Sequence, residues 1–111
     1  MNLKNHVQLI GNLGAIPVVK ETANGQKMAR FSIATTESYK EDGKNVEKTY
    51  WHNIIAWGKM AETIEQKCEK GTEVVLNGKL VSRSYDDPSG AKKYITEVVV
   101  SEIICRPKAV A

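Results

Sequence analysis

Apolar and polar residues alternate with a period of two along most of the chain, which predicts strands rather than helices. Val7, Leu9 and Gly11 alternate with Gln8, Ile10 and Asn12 as a first strand. Gly14 to Pro17 interrupts it before a short extension, Val18 to Thr22. Asn24-Gly25 then marks a hairpin, read as a type I′ turn because both central residues of that turn need positive φ. A second strand follows from Lys27 to Thr36, with Ala29, Phe31 and Ile33 facing inward and Arg30 and Ser32 outward. The polar stretch Glu37 to Lys48, centred on Asp42-Gly43, predicts a long exposed hairpin loop. It leads into a third strand, YWHNIIAWGK, from Tyr50 to Lys59.

The period changes once. Met60, Ile64 and Cys68 recur every fourth residue within Lys59 to Lys70, with Ala61 beside them, so one face of a short helix is apolar and Gly71 is its expected C-cap. A fourth strand from Thr72 to Tyr85 and a fifth from Lys92 to Cys105 are joined by the turn DDPSG at Asp86 to Gly90. Along the fourth strand Val74, Leu76, Gly78 and Leu80 form one face, and Asn77, Lys79, Arg83 and Tyr85 the other. This order predicts an all-β OB fold: a five-stranded, partly open barrel with one short helix between the third and fourth strands. An SH3-like or other small barrel fits the pattern nearly as well. At 111 residues the chain has room for one core, so we expect one domain over 1–105 and a tail, 106–111, too short to fold.

The third strand raises the functional question. Trp51 and Trp57 are six residues apart, so they point the same way, roughly 20 Å from each other. They are either core or a stacking platform for unpaired bases. If they faced inward, His52 and Ile54 would face out; the opposite assignment buries Ile54 and Ala56 but leaves Ile55 on the platform. Asn53, on the tryptophan face, favours the exposed platform. Tyr39 and Tyr85 add rings, and Lys40, Lys48, Lys59, Lys79, Arg83, Lys92 and Lys93 add cations able to track a phosphate backbone.

Composition changes this picture little. Sixteen Lys and Arg against thirteen Asp and Glu give a net charge of +3, so placement rather than bulk charge must carry any argument for nucleic acid. Cys68 and Cys105 are two isolated thiols without a CxxC pattern, and neither His6 nor His52 is at ligand spacing from them, so no metal site is expected. A reduced, cytoplasmic setting follows from the same cysteine usage. No apolar run of eighteen residues and no leader pattern is present, so no membrane partner is expected. His52 lacks a catalytic partner, and GNLG at Gly11 to Gly14 lacks both the P-loop lysine and the Rossmann spacing. Neither catalysis nor a cofactor is expected. Glu97 and Glu102 are expected to pair with Lys79 or Arg83 across the last two strands.

Five segments together resemble the bacterial single-stranded DNA-binding proteins (SSB). They are LIGNLGAIPVV from Leu9 to Val19, NG at Asn24-Gly25 followed by FSIAT from Phe31 to Thr35, WHNIIAWGKMAE from Trp51 to Glu62, KGTEVVLNGKL from Lys70 to Leu80, and YDDPSGAKKYITEVVV from Tyr85 to Val100. The resemblance implies an OB fold that coats single-stranded DNA non-specifically in replication, recombination and repair, wrapping it around a homotetramer. It carries the stacking positions onto Tyr39, Trp51, Trp57 and Tyr85. It also implies a subunit contact at His52 and along the first strand, at Lys4, His6, Gln8 and Ile10. Family members usually continue into a flexible linker and an acidic tip that recruits replication and repair enzymes, whereas this sequence ends in RPKAVA, so that recruitment is not implied here. Two rivals stand beside this reading: an OB module that binds RNA, and a protein-assembly adaptor of the primosomal type, against which the retained Trp51, Trp57 and Tyr85 argue.

Overall fold

The computed structural model describes residues 4–106; most of the short tail expected at 106–111 lies outside the described residues. Six strands and one helix follow in the order β1 (Val7–Leu13), β2 (Val18–Glu21), β3 (Lys27–Glu41), β4 (Lys44–Trp57), α1 (Lys59–Lys67), β5 (Glu73–Asp86) and β6 (Lys92–Arg106). The sheet runs β1-β5-β6-β4-β3-β2, and a further pairing of β1 with β3 closes five strands into a ring. β2 lies outside the ring, on the edge of β3. Two of the ring's joints are short: Asn12 and Leu13 pair with Ala34 and Ile33, and Ile54 and Ile55 run parallel to Val98 and Val99. With α1 between β4 and β5, this is the OB fold expected from the pattern.

Alternation dictates the core. Ala29, Phe31 and Ile33 from β3, Ile54 and Ala56 from β4, Val74 and Leu76 from β5, and Val98 and Val100 from β6 all point into the ring. Helix α1 adds Ala61 and Ile64 from its apolar stripe. In β6 the alternation slips at Ser101, where Asn77 pairs with Glu102 but Gly78 with Val100. That bulge turns Glu102 and Ile104 outward and aims Cys105 back at the interior. Cys105 Sγ lies 2.7 Å from Cys68 Sγ, so the two thiols expected to be isolated touch, and burial together with Cys105 pushes the Cys68 pKa up to about 12.

Several local expectations are corrected. The segment expected as a loop, Glu37 to Lys48, is the tip of a ribbon in which β3 and β4 stay paired as far as Glu41 and Lys44. Its turn, Asp42-Gly43, carries positive φ at both positions, 52° and 77°, as a type I′ turn requires. At Asn24-Gly25 only Gly25 has positive φ. The Gly25 N–H donates to the Thr22 carbonyl and the Thr22 N–H to the Gln26 carbonyl, the pattern of a type I turn followed by a glycine bulge. The β5–β6 turn repeats it with Asp87, Gly90 and Ala91. Helix α1 ends at Lys67, not Lys70. Cys68 caps it through a bond to the Ile64 carbonyl, and Gly71, with φ 89°, serves the following turn rather than the cap. Leu80 keeps the inward parity of β5 but is exposed where the strand leaves the barrel.

Candidate nucleic-acid interface

The outer surface of β3, β4, β6 and β5 is one continuous face, and its side chains follow from register. Trp51 stands opposite Ala34, Asn53 opposite Ser32, Ile55 opposite Arg30 and Trp57 opposite Met28. On the far side, β6 contributes Ile95, Glu97 and Val99, and β5 contributes Lys79, Val81, Arg83 and Tyr85. The two tryptophans are therefore outside: Trp51 is 61% and Trp57 38% exposed, whereas Ile54 between them is fully buried. Ile55 shares the tryptophan face yet is only 5% exposed. Arg30, its direct neighbour on β3, must pass over β4 on that side to reach Glu97, which explains the cover.

A cleft of about 400 Å3 opens beside Trp51. The segment from Gly14 to Ile16 forms one wall, and Arg30, Asn53 and Glu97 line the other side. Trp51 is held against that wall, because a Cβ added at Gly14 would collide with its ring. The most deeply placed polar group is Glu97, 1% exposed, whose carboxylate accepts from Arg83 Nε at 2.7 Å and faces Arg30 Nη1 at 3.3 Å. The hydrogen bond and charge of Glu97 in turn raise the Arg83 pKa above its ordinary value. A half-exposed pair of guanidinium groups, a wide aromatic ring and an apolar wall meet here. This combination suits a flat, anionic, chain-like ligand.

The family profile named single-strand binding protein matches residues 4–105. The chain belongs to this family. Among its relatives, "Single-stranded DNA-binding protein 1" of Chlorobaculum tepidum is 46% identical over 101 residues, which cover 89% of this chain and 62% of that protein. The chain thus aligns with under two thirds of that relative's length. A solved structure entitled "Plasmodium falciparum SSB complex with ssDNA" superposes with a TM-score of 0.86 at 31% identity, covering 96% of this chain and 99% of the other.

Within this single-strand binding family member, the expected residues divide by strand parity. Trp51, Trp57, Lys79, Arg83, Tyr85 and Lys93 share the outer face, and Lys40 lies on the same side of the β3–β4 ribbon. Lys59 opens α1, two residues after Trp57, and is exposed. Tyr39 and Lys48 do not join them: unbroken alternation sets both on the opposite face of the ribbon, where Lys48 Nζ lies 5.3 Å from the Tyr50 ring centre. Lys92 likewise alternates away from Lys93. The expected pairing of Glu97 with Arg83 is present. Pattern reasoning missed Arg30, Glu97 and Gly14 as parts of the face, and Tyr94, which is 74% exposed on the opposite side of the β5–β6 ribbon. The outward parity of Arg30 was a usable signal; its reach across β4 was not.

The proposed subunit-contact residues fall in two places. Gln8 and Ile10 point outward from β1, and Lys4 and His6 precede it, all exposed. His52 has inward parity on β4 and its Nε2 lies 2.9 Å from Thr35 Oγ1. Thr35 in turn borders β1, since its Cγ2 would meet a Cβ on Gly11 at 3.3 Å. Among the described residues no cluster of metal-binding side chains occurs, and no helix is long and apolar enough to cross a membrane.

Proposed function

We propose that this chain binds single-stranded DNA without base preference, stacking bases on Trp51, Trp57 and Tyr85 and drawing phosphates to Arg30, Lys40, Lys59, Lys79, Arg83 and Lys93. The observation that carries this reading is the exposure of both tryptophans on one face while Ile54 and Ala56, between them in sequence, fill the core. An apolar ring left in water beside cations has little to contribute to folding; against a base it contributes about 1–3 kcal/mol. Its part would be to coat DNA during replication, recombination and repair in the cytoplasm, as a binding protein without catalysis. Tyr39, Lys48 and Lys92, on the reverse faces of the two ribbons, would meet only a strand that wraps round them. Titrating poly-deoxythymidine while following tryptophan emission tests the proposal. Quenching that saturates and weakens with salt is expected, and a flat response at low salt would overturn it.

The same chain is proposed to assemble as a homotetramer. Among the described residues β1 pairs with β3 only at Asn12 and Leu13, so the edge it turns away from β5 has no partner there from Val7 to Gly11, and an open edge of this kind invites a further strand. Beside it Ile10, Val75 and Ile104 form a cross-strand apolar row on the outer surface, with Ile10 55% and Ile104 65% exposed. Two-fold pairing of that edge and closed packing of that row would cover both features. Light scattering at micromolar concentration should report four subunits; a monomer would refute the assembly without touching DNA binding.

A further inference from the structure

We propose that Glu97 is the positioning residue of this face, a buried carboxylate that fixes Arg30 and Arg83 so that their remaining N–H groups are presented to DNA phosphates. The inference rests on the single-stranded DNA reading above and adds to it an element that contacts no ligand itself. Glu97 occupies an outward position on β6, opposite Val81 on β5 and level with Asn53 on β4, yet it is 1% exposed. A carboxylate withdrawn from water is costly unless paired, and truncating one partner of such a pair leaves the other uncompensated. Here the two oxygens are divided: Oε1 takes Arg83 Nε and Oε2 faces Arg30 Nη1.

The division matters because the two arginines come from opposite sides. Arg83 arrives from β5 next door, whereas Arg30 crosses β4 from β3. Without the carboxylate nothing would hold two like charges at the same spot on the cleft rim; they would move apart, and both long side chains would sample many rotamers. Each guanidinium has five N–H donors in a rigid fork, so the hydrogen bond of Arg83 and the ion pair of Arg30 with Glu97 hold the two groups and leave donors over for a phosphate. A negative group set beneath an anion-binding face thus works through geometry. Fixing the donors in advance removes an ordering cost from binding.

Charge and geometry predict opposite results for Glu97→Gln, which keeps the side chain's size and removes one negative charge. If Glu97 mattered only as a charge, poly-deoxythymidine would bind the variant more tightly. We expect instead that it binds roughly five- to tenfold more weakly, as loss of one charge-assisted contact implies. The log–log salt slope should also shrink by about 0.7, one phosphate's worth on single strands. Thermal melting of the same samples checks that the variant is folded. Equal or tighter binding with an unchanged slope overturns the inference. Should the variant not fold, Arg30→Lys and Arg83→Lys, both at half-exposed positions, preserve charge while losing the fork. Several-fold weaker binding in either supports the role of Glu97, and wild-type affinity in both overturns it. A flat titration with the unaltered chain is a different failure, since it removes the DNA reading itself.

Discussion

The two faces of β4 show what a single strand can be asked to do. From Trp51 to Trp57 the inward residues Ile54 and Ala56 have no exposed surface, while the tryptophans on the other side stand in solvent. Hydrophobicity alone ranks these residues the wrong way round, because the largest apolar groups are outside. What decides their location is the company on each face: Phe31, Leu76 and Val98 on one, and Arg30, Asn53, Arg83 and Glu97 on the other. An apolar ring among polar and charged neighbours is a contact surface, whereas the same area among aliphatic groups is structure.

Substitutions can break this comparison directly. Ile54→Ala should have the largest effect, about 2–5 kcal/mol of stability by cavity formation, while the fraction that stays folded binds poly-deoxythymidine nearly normally. Thermal melting and titration of one preparation would show both. Trp51→Ala should behave oppositely, losing about 1–3 kcal/mol of binding with little change in melting; if it unfolded the protein while Ile54→Ala did nothing, the assignment of the faces would be reversed. Gly14→Ala sharpens the point. Its methyl group would displace the Trp51 ring without touching the core, so affinity should fall by less than in Trp51→Ala and melting should hardly move. The smallest effect is expected at Lys79, where Lys79→Gln should lower affinity evenly across sequences and reduce the salt slope by about 0.7. A changed base preference there would contradict a phosphate contact.

Most of the barrel was legible because its strands border a core, and a core imposes the period of two. The tryptophan face could be read for the same reason, once Asn53 weighed against burial. Where the ribbon of β3 and β4 leaves the barrel the pattern predicts a loop instead: Glu37 to Lys48 have no core to face, so no apolar alternation reports their pairing. The turn at Asn24-Gly25 was placed correctly, but its type depends on whether Asn24 adopts positive φ, which the dipeptide does not fix. Arg30 and Glu97 were harder still, since their meeting depends on β6 lying parallel to β4. Nothing local in either strand announces that. The contact of Cys68 with Cys105 is invisible for a similar reason, being set by the bulge at Ser101.

The two short joints of the ring divide the barrel into leaflets, β1-β5-β6 and β2-β3-β4, each internally laddered along its strands but joined by only two residue pairs at either seam. Protection of backbone amides against hydrogen exchange should follow that division. Backbone amides that bond across either seam would open by parting of the leaflets before either ladder frays through its length. Helix α1 packs against β3 and β4 of one leaflet and β6 of the other. The ion pair of Arg30 with Glu97 reaches from β3 over β4 to β6, and so ties the two leaflets across the second seam.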